Sequence, residues 1–495
     1  LSAVDTGATP VISSAEEPKT LIPRRDMRVI WVLLTAAFVA ILNETTMGIA
    51  IPHLMDDLGI SPLAAQWVTS AFMLTMAVVI PITGFLLRRF TTRQIFLAAL
   101  SLFSVGTLMA ALAFGFEMLL VARVVQAAGT AMMMPLLMTT IMNLVPPAAR
   151  GRMMGRVSIV MSLAPAIGPT LSGFLLDHLG WRSIFFIVLP IALVALFIGW
   201  RWLTNVGETM DAPIDVLSIL LSALGFGGLV FGLSQIGALA GTAVSPAPLL
   251  IALGVGVVGL ALFLWRQVVL QKKDDALLDL RVFRSRDFTL SMAQMFLLAL
   301  AFFGSITVVP LFLQNAMGLP AMDAGLVALP GALAMGLLGP LIGRIYDLHG
   351  TRILLVPGAI MAASMLWLFT SFTEATPLWL VVVAQTALSV GLALSFTPLF
   401  TAALASLQPK FYSYGSAVIG TVQQVAGAAG IAVMMAVFTV AVNAGGGSHV
   451  PEAVAHGSRL AFVLGAIIAT ITIVGAFFIR KPADNPAEAP AGHGH

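Results

Sequence analysis

Apolar stretches of about twenty residues, separated by short polar turns, recur from Met27 to Phe478. A helical run of that length crosses the ~30 Å hydrocarbon layer of a bilayer, so the pattern predicts a polytopic helical membrane protein. Fourteen runs can be placed, at 29–51, 63–87, 94–114, 117–142, 153–176, 183–204, 215–235, 248–268, 289–313, 323–345, 352–371, 377–399, 414–441 and 458–479. The expected fold class is all-α, with fourteen transmembrane helices. Residues 1–26 are polar and carry several Pro and Thr. They lack the charged-then-apolar build and cleavage site of a signal peptide and read as a disordered tail. Residues 481–495, rich in Pro and Ala, read the same way, with His493 and His495 solvated rather than metal-bound.

The placement of charge tests the count. If the N-terminus is cytoplasmic, every Lys and Arg except Arg123, Arg182 and Arg459 falls in a cytoplasmic segment or at its edge. That asymmetry is the positive-inside rule, and one span more or fewer in the middle would scramble it. Both termini are therefore expected in the cytoplasm, with the chain in the inner (plasma) membrane of a bacterium. Charged residues make up 9% of the chain and hydrophobic ones 59%, which excludes a soluble domain. The net charge of +3 arises in the inner loops and calls for no nucleic-acid partner. With no cysteine, neither a disulfide framework nor a thiolate metal site can form. The chain has no Walker-type phosphate loop, HExxH, CxxC or nucleophile elbow, and no clustered ligands for Mg2+ or Zn2+. No enzyme and no cofactor are expected, and ATP would not be the driving force.

Two segments repeat. GFLLRRFTTR, residues 84–93, follows the second run, and GPLIGRIYDLHGTR, residues 339–352, follows the tenth. Each is a Gly-bearing helix end that enters a tight basic turn. The repeat divides the chain into a six-helix half at 27–206, an inserted pair at 207–270, a linker at 271–287 and a second six-helix half at 288–480. Parallel six-helix halves are a transporter architecture, with the substrate path between them. The linker mixes charges with the short apolar run Ala276 to Leu280 and reads as an interfacial loop or short helix.

Several motifs together resemble the major facilitator superfamily, in its fourteen-span drug:H+ antiporter branch. The first run carries Leu42-Asn43-Glu44-Thr45 with Ala50 and Pro52, similar to the family's LDxTxxNxAxP element. Gln66-Trp67 opens the second. Arg123 to Gly129, RVVQAAG, resembles the family's RxxxG motif, and Ala164 to Gly173, APAIGPTLSG, its antiporter motif. The wording around Glu44 and at Leu278-Asp279-Leu280 is most similar to lincomycin-resistance-like multidrug exporters. The chain departs from the family pattern at Asn43, where an Asp is usual, and at Arg88, where the first cytoplasmic loop usually has an Asp. Asp347 keeps that acid in the second copy, with Gly343, Gly350 and Arg352.

Glu44 is the acid inside a span. A carboxyl group deprived of water favours its neutral form, and ionisable groups within the membrane mark ion pathways. Glu44 is therefore expected to bind a proton from one side and release it on the other. Arg123 is the one basic residue inside a span and cannot shed its charge. It is expected to sense the state of Glu44. Asn43, Gln66, Gln126, Met133, Gln294, Gln314 and Gln423 are the candidates for the substrate cavity. The resemblance implies conformational roles for Gly168, Pro169 and Gly173, as a bend sealing the seam between halves, and for Arg88, Arg93, Gly343, Asp347 and Arg352. The expected function is proton-driven export of amphipathic organic compounds by a monomer through alternating access. The alternative is export of one endogenous lipid, siderophore or metabolite on the same fold.

Overall fold

The computed structural model describes residues 22–60, 62–206, 209–210, 213–239, 247–447 and 450–479. Most of both expected tails, and the expected boundary at residue 207, lie outside the described residues. The first half comprises α1 (Arg24–Leu58), α2 (Pro62–Arg89), α3 (Thr92–Ala111), α4 (Phe116–Leu144), α5 (Arg150–Leu179) and α6 (Arg182–Trp202). The insert comprises α7 (Val216–Ser222), α8 (Gly228–Leu239) and α9 (Ala247–Leu270). A π-turn, Ala223–Gly227, joins α7 and α8 into one crossing. The second half comprises α10 (Arg286–Leu311), α11 (Ala321–His349), α12 (Arg352–Phe369), α13 (Leu378–Ala405), α14 (Tyr412–Ala444) and α15 (Pro451–Ala476). Among the described residues, fourteen helical segments are long and apolar enough to cross a membrane, matching the hydropathy pattern run for run. An even number of crossings returns the chain to the face it started from. That face carries Arg24, Arg25, Arg28, Arg88 and Arg352 and is called the basic face below.

Local sequence sets the helix ends. α1 begins at Arg24, inside the expected tail, with Asp26 in its first turn, where a carboxylate complements the helix dipole. At 35 residues it is about 52 Å long and projects beyond the hydrocarbon layer. It stops at Gly59, whose φ of 61° is accessible to glycine without strain. α3 starts with a reciprocal capping box, in which Gln94 N–H donates to Thr91 Oγ1 at 3.3 Å and Thr91 N–H to Gln94 Oε1 at 3.0 Å.

The halves meet where side chains are smallest. α5 packs along α11, with Gly151 and Gly155 against Gly343 and Gly339, and a Cβ on any of the four would overlap the facing backbone. Small residues four apart let helix backbones touch. Hydroxyl pairs complete the seal. Ser158 Oγ lies 2.7 Å from Thr397 Oγ1, and Thr139 Oγ1 lies 2.8 Å from Ser416 Oγ. All these residues lie toward the basic face. One apolar core runs through both halves and includes Val157, Ile342, Tyr346 and Leu404. A second core, with Met47, Leu54, Leu119, Leu175 and Phe185, belongs to the far end of the first half and contains no residue of the second. Among the described residues, the halves are thus joined toward the basic face, while this far-end core is built from the first half alone.

The insert lies against both halves. Gly225 and Gly228 let α7 and α8 touch α9 at Gly259 and Gly256. α8 packs on α14, and its Phe231 stacks on Trp67 of α2 at 5.5 Å. The linker is folded into the protein rather than laid on the interface, because its apolar run finds a core. Ala276, Leu277 and Leu278 are buried. Leu278 N–H donates to Gln267 Oε1 at 3.1 Å, and Tyr414 O–H of α14 donates to Ala276 O at 3.2 Å.

Candidate functional site

Glu44 sits 20 residues into α1, about 30 Å from its start, beyond the seal and toward the far face. Its side chain is half-buried, and the charge that acts on it is Arg123 of α4. The residues beside Glu44 hold α1 in place. Thr45 Oγ1 donates to Leu42 O at 3.0 Å, and Thr45 packs on Gly168 of α5. Thr46 Oγ1 donates to Asn43 O at 3.0 Å, while Ser172 Oγ of α5 donates to Thr46 O at 2.9 Å. Asn43 is 1% exposed, and neither its Oδ1 nor its Nδ2 has a protein partner.

Arg123 is likewise 1% exposed. A buried guanidinium needs compensation, and here it comes from two sides. Nη1 donates to Gln126 Oε1 at 2.6 Å, and the ring of Phe72 on α2 lies 4.1 Å from the guanidinium carbon, within cation–π range. Nε has no partner. Gln126 Nε2 in turn donates to Thr107 Oγ1 of α3 at 2.7 Å. Gly106 and Gly129 bring α3 and α4 close enough for this contact, since a Cβ on Gly106 would lie 2.5 Å from Gln126 N.

The other expected site residues divide. Gln126 and Gln294, candidates for the cavity, are instead buried bridges within their own halves. Gln294 Nε2 donates to Thr472 O of α15 at 2.6 Å. Met133 is buried in the common core, with Met132, Met138 and Met142. Gln314 lies half-buried in the π-turn Phe312–Ala316, and Gln423 half-buried on α14. The side chains of Gln66 and Pro169 lie outside the described residues. Gly168 faces α1 of its own half, and a Cβ on Gly173 would meet open space. The seam expected at these glycines is formed by Gly151 and Gly155 instead, nearer the basic face, where α5 crosses α11.

The two repeated loops work differently. Asp347 of α11 accepts from Gly151 N–H at 2.7 Å and Arg152 N–H at 2.9 Å, the free donors at the start of α5. Gly343 lies in the same contact, while Arg352 is exposed. In the first half Arg88 lies 5.4 Å from the Tyr414 ring of α14, and Arg88 Nη2 approaches Met210 Sδ at 3.3 Å. Arg93 Nη2 donates to Trp200 O of α6 at 2.7 Å and stays within its own half. Sequence reasoning missed Thr107 and Phe72, which look like any Thr or Phe in an apolar helix. It also missed Gly151 and Gly155, whose four-residue spacing was a readable signal.

The model of the Major Facilitator Superfamily matches residues 33–216 and 214–431. The chain belongs to the Major Facilitator Superfamily. It is 39% identical to the uncharacterized MFS-type transporter YcnB of Bacillus subtilis, over 93% of this chain and 96% of that protein. It is 38% identical to the lincomycin resistance protein LmrB of the same organism, over 91% and 95%. It is 32% identical to the multidrug export protein EmrB of Haemophilus influenzae, over 80% and 78%. The human organic anion transporter MFSD10 shares the fold, with a TM-score of 0.65 at 14% identity over 92% of this chain and 100% of that one. As a member of this superfamily the chain is a transporter and not an enzyme.

Proposed function

We propose that the chain is a proton-coupled antiporter that exports amphipathic drugs and similar organic compounds from the cytoplasm. What supports this reading is an acid on α1 and a buried Arg123 on α4 within electrostatic reach of each other, in a chain 38% identical to a lincomycin resistance protein. Glu44 is the coupling acid, and Arg123 is the fixed charge that substrate and proton must both contend with. The basic face is cytoplasmic, as the Lys and Arg distribution supports. In this reading the seal lies toward the cytoplasm, with Glu44 on its outer side. A proton arriving from outside neutralises Glu44 and weakens its hold on Arg123. The halves then rock to the inward state, where the proton leaves and substrate enters. The membrane potential contributes about 2.3 kcal/mol per charge per 100 mV, so one or two protons per cycle suffice. The working unit is a monomer.

The test is ethidium flux driven by a pH gradient in proteoliposomes, with wild type beside Glu44→Gln. The reading expects antiport in the wild type and none in the variant, with ethidium binding retained. Equal gradient-driven flux in both would remove Glu44 from the coupling step.

A further inference from the structure

We propose that Thr107 on α3 is a positioning residue for Arg123, acting through Gln126. This rests on the reading that Arg123 and Glu44 couple proton to substrate. The chain of donors and acceptors has one consistent direction. Thr107 Oγ1 lies 2.6 Å from Phe103 O. A carbonyl only accepts, so the single hydroxyl proton of Thr107 is committed there. Thr107 Oγ1 must then receive the hydrogen bond from Gln126, which lies 2.7 Å away, and only the amide nitrogen can give it. With Nε2 turned toward α3, Oε1 faces the other way, onto Arg123 Nη1 at 2.6 Å.

The orientation of a buried amide is otherwise a free choice between two nearly identical shapes. Here a hydroxyl on another helix makes that choice. All three groups are buried, with Thr107 and Gln126 at 0% and Arg123 at 1% exposure, so water cannot substitute for a lost partner. The close α3–α4 crossing at Gly106 and Gly129 keeps the relay from slipping. Phe72 fixes the face of the guanidinium. The relay therefore sets where the charge of Arg123 stands relative to Glu44, although Thr107 touches neither.

Thr107→Val keeps the shape and removes the acceptor. The amide of Gln126 then loses its reason to point one way. Once turned, it presents a donor to a donor and releases the guanidinium. Thr107→Ser keeps the acceptor.

The experiment measures ethidium flux in proteoliposomes over a series of pH values, for wild type, Thr107→Val, Thr107→Ser and Glu44→Gln, together with thermal stability in detergent. The expected result is a flux–pH midpoint displaced by about one unit in Thr107→Val, with Thr107→Ser at the wild-type midpoint. A Thr107→Val protein that is less stable but keeps the wild-type midpoint has lost packing only, and overturns the proposal. If Thr107→Val does not assemble, Gln126→Leu carries the same test, and an unmoved midpoint there also overturns it. Gradient-driven flux that survives Glu44→Gln removes the coupling reading and this inference with it. Loss of flux in Glu44→Gln beside an unmoved Thr107→Val midpoint removes this inference alone.

Discussion

Asp347 reaches across the seam between the two halves to Gly151, whose N–H it accepts at 2.7 Å. The carboxylate terminates the positive end of α5 from a helix that belongs to the other half. It can hold that position only while the basic face is closed, which makes it a latch.

Removing the latch should shift the balance of states. Hydrogen bonds to a charged group contribute about 1.5–3 kcal/mol each when buried. Asp347→Ala is expected to cost the sealed state about 2 kcal/mol, or roughly 30-fold in population. The chain has no cysteine, so Ser158→Cys can be labelled with a maleimide without further engineering. Labelling from the basic side should be faster in the Asp347→Ala background. An unchanged rate would mean the glycine seam closes unaided.

The glycine seam makes its own demand. A Cβ on Gly155 has no room beside Gly339. Gly155→Val is expected to leave both halves folded while propping the basic face apart. Ethidium flux should fall to background and Ser158→Cys should label freely. Flux near the wild-type value would show that the seam tolerates a wider crossing.

Arg123→Lys retains the charge but not the planar fork. An ammonium group cannot take up the guanidinium's two-sided fit between Gln126 Oε1 and the Phe72 ring. Gradient-driven flux is expected to drop at least about tenfold, equivalent to ~1.4 kcal/mol, with yield and ethidium binding little changed. Full flux in the lysine variant would reduce the requirement to charge alone.

The insert is pinned by an ion pair with a definite pH signature. Arg266 Nε and Nη2 donate to Asp215 at 2.6 and 2.8 Å. These bonds, with those from Ser218, pull the Asp215 carboxyl down to about 2. Because the folded value lies below the unfolded one, the pair stabilises above the unfolded pKa of about 3.9 and is lost as pH falls from there toward about 2. Its contribution near neutrality is about 2 kcal/mol. The melting temperature of wild type should exceed that of Asp215→Asn near pH 6, and the gap should narrow as pH falls to about 3. A gap that stays constant would trace the difference to packing.

The crossings were legible because bilayer thickness fixes the length of every run, and the repeat at Gly84 and Gly339 located the two halves. The acid and the base of the site were legible for a related reason, since Glu44 and Arg123 are charges where the solvent is hydrocarbon. What the sequence could not show was which way an amide points. Gln126 and Gln423 are the same residue in similar surroundings of Ala, Gly and Val, yet one is a buried bridge and the other is half-buried. That difference depends on what the facing helix offers, and Thr107 lies 19 residues before Gln126 on another helix. The placement of Gly168 failed similarly. Its spacing announced a close approach, but not which helix would make it.

The insert gives this transporter a flank and a front. The seam of α2 with α14 is backed by α8 and the π-turn before it. On the opposite seam, α11 leaves Leu337 and Leu341 exposed by 79% and 54%. The insert helices pack along the α2–α14 seam and not along the α5–α11 seam. Two helices outside the twelve of the halves thus make the two seams unequal.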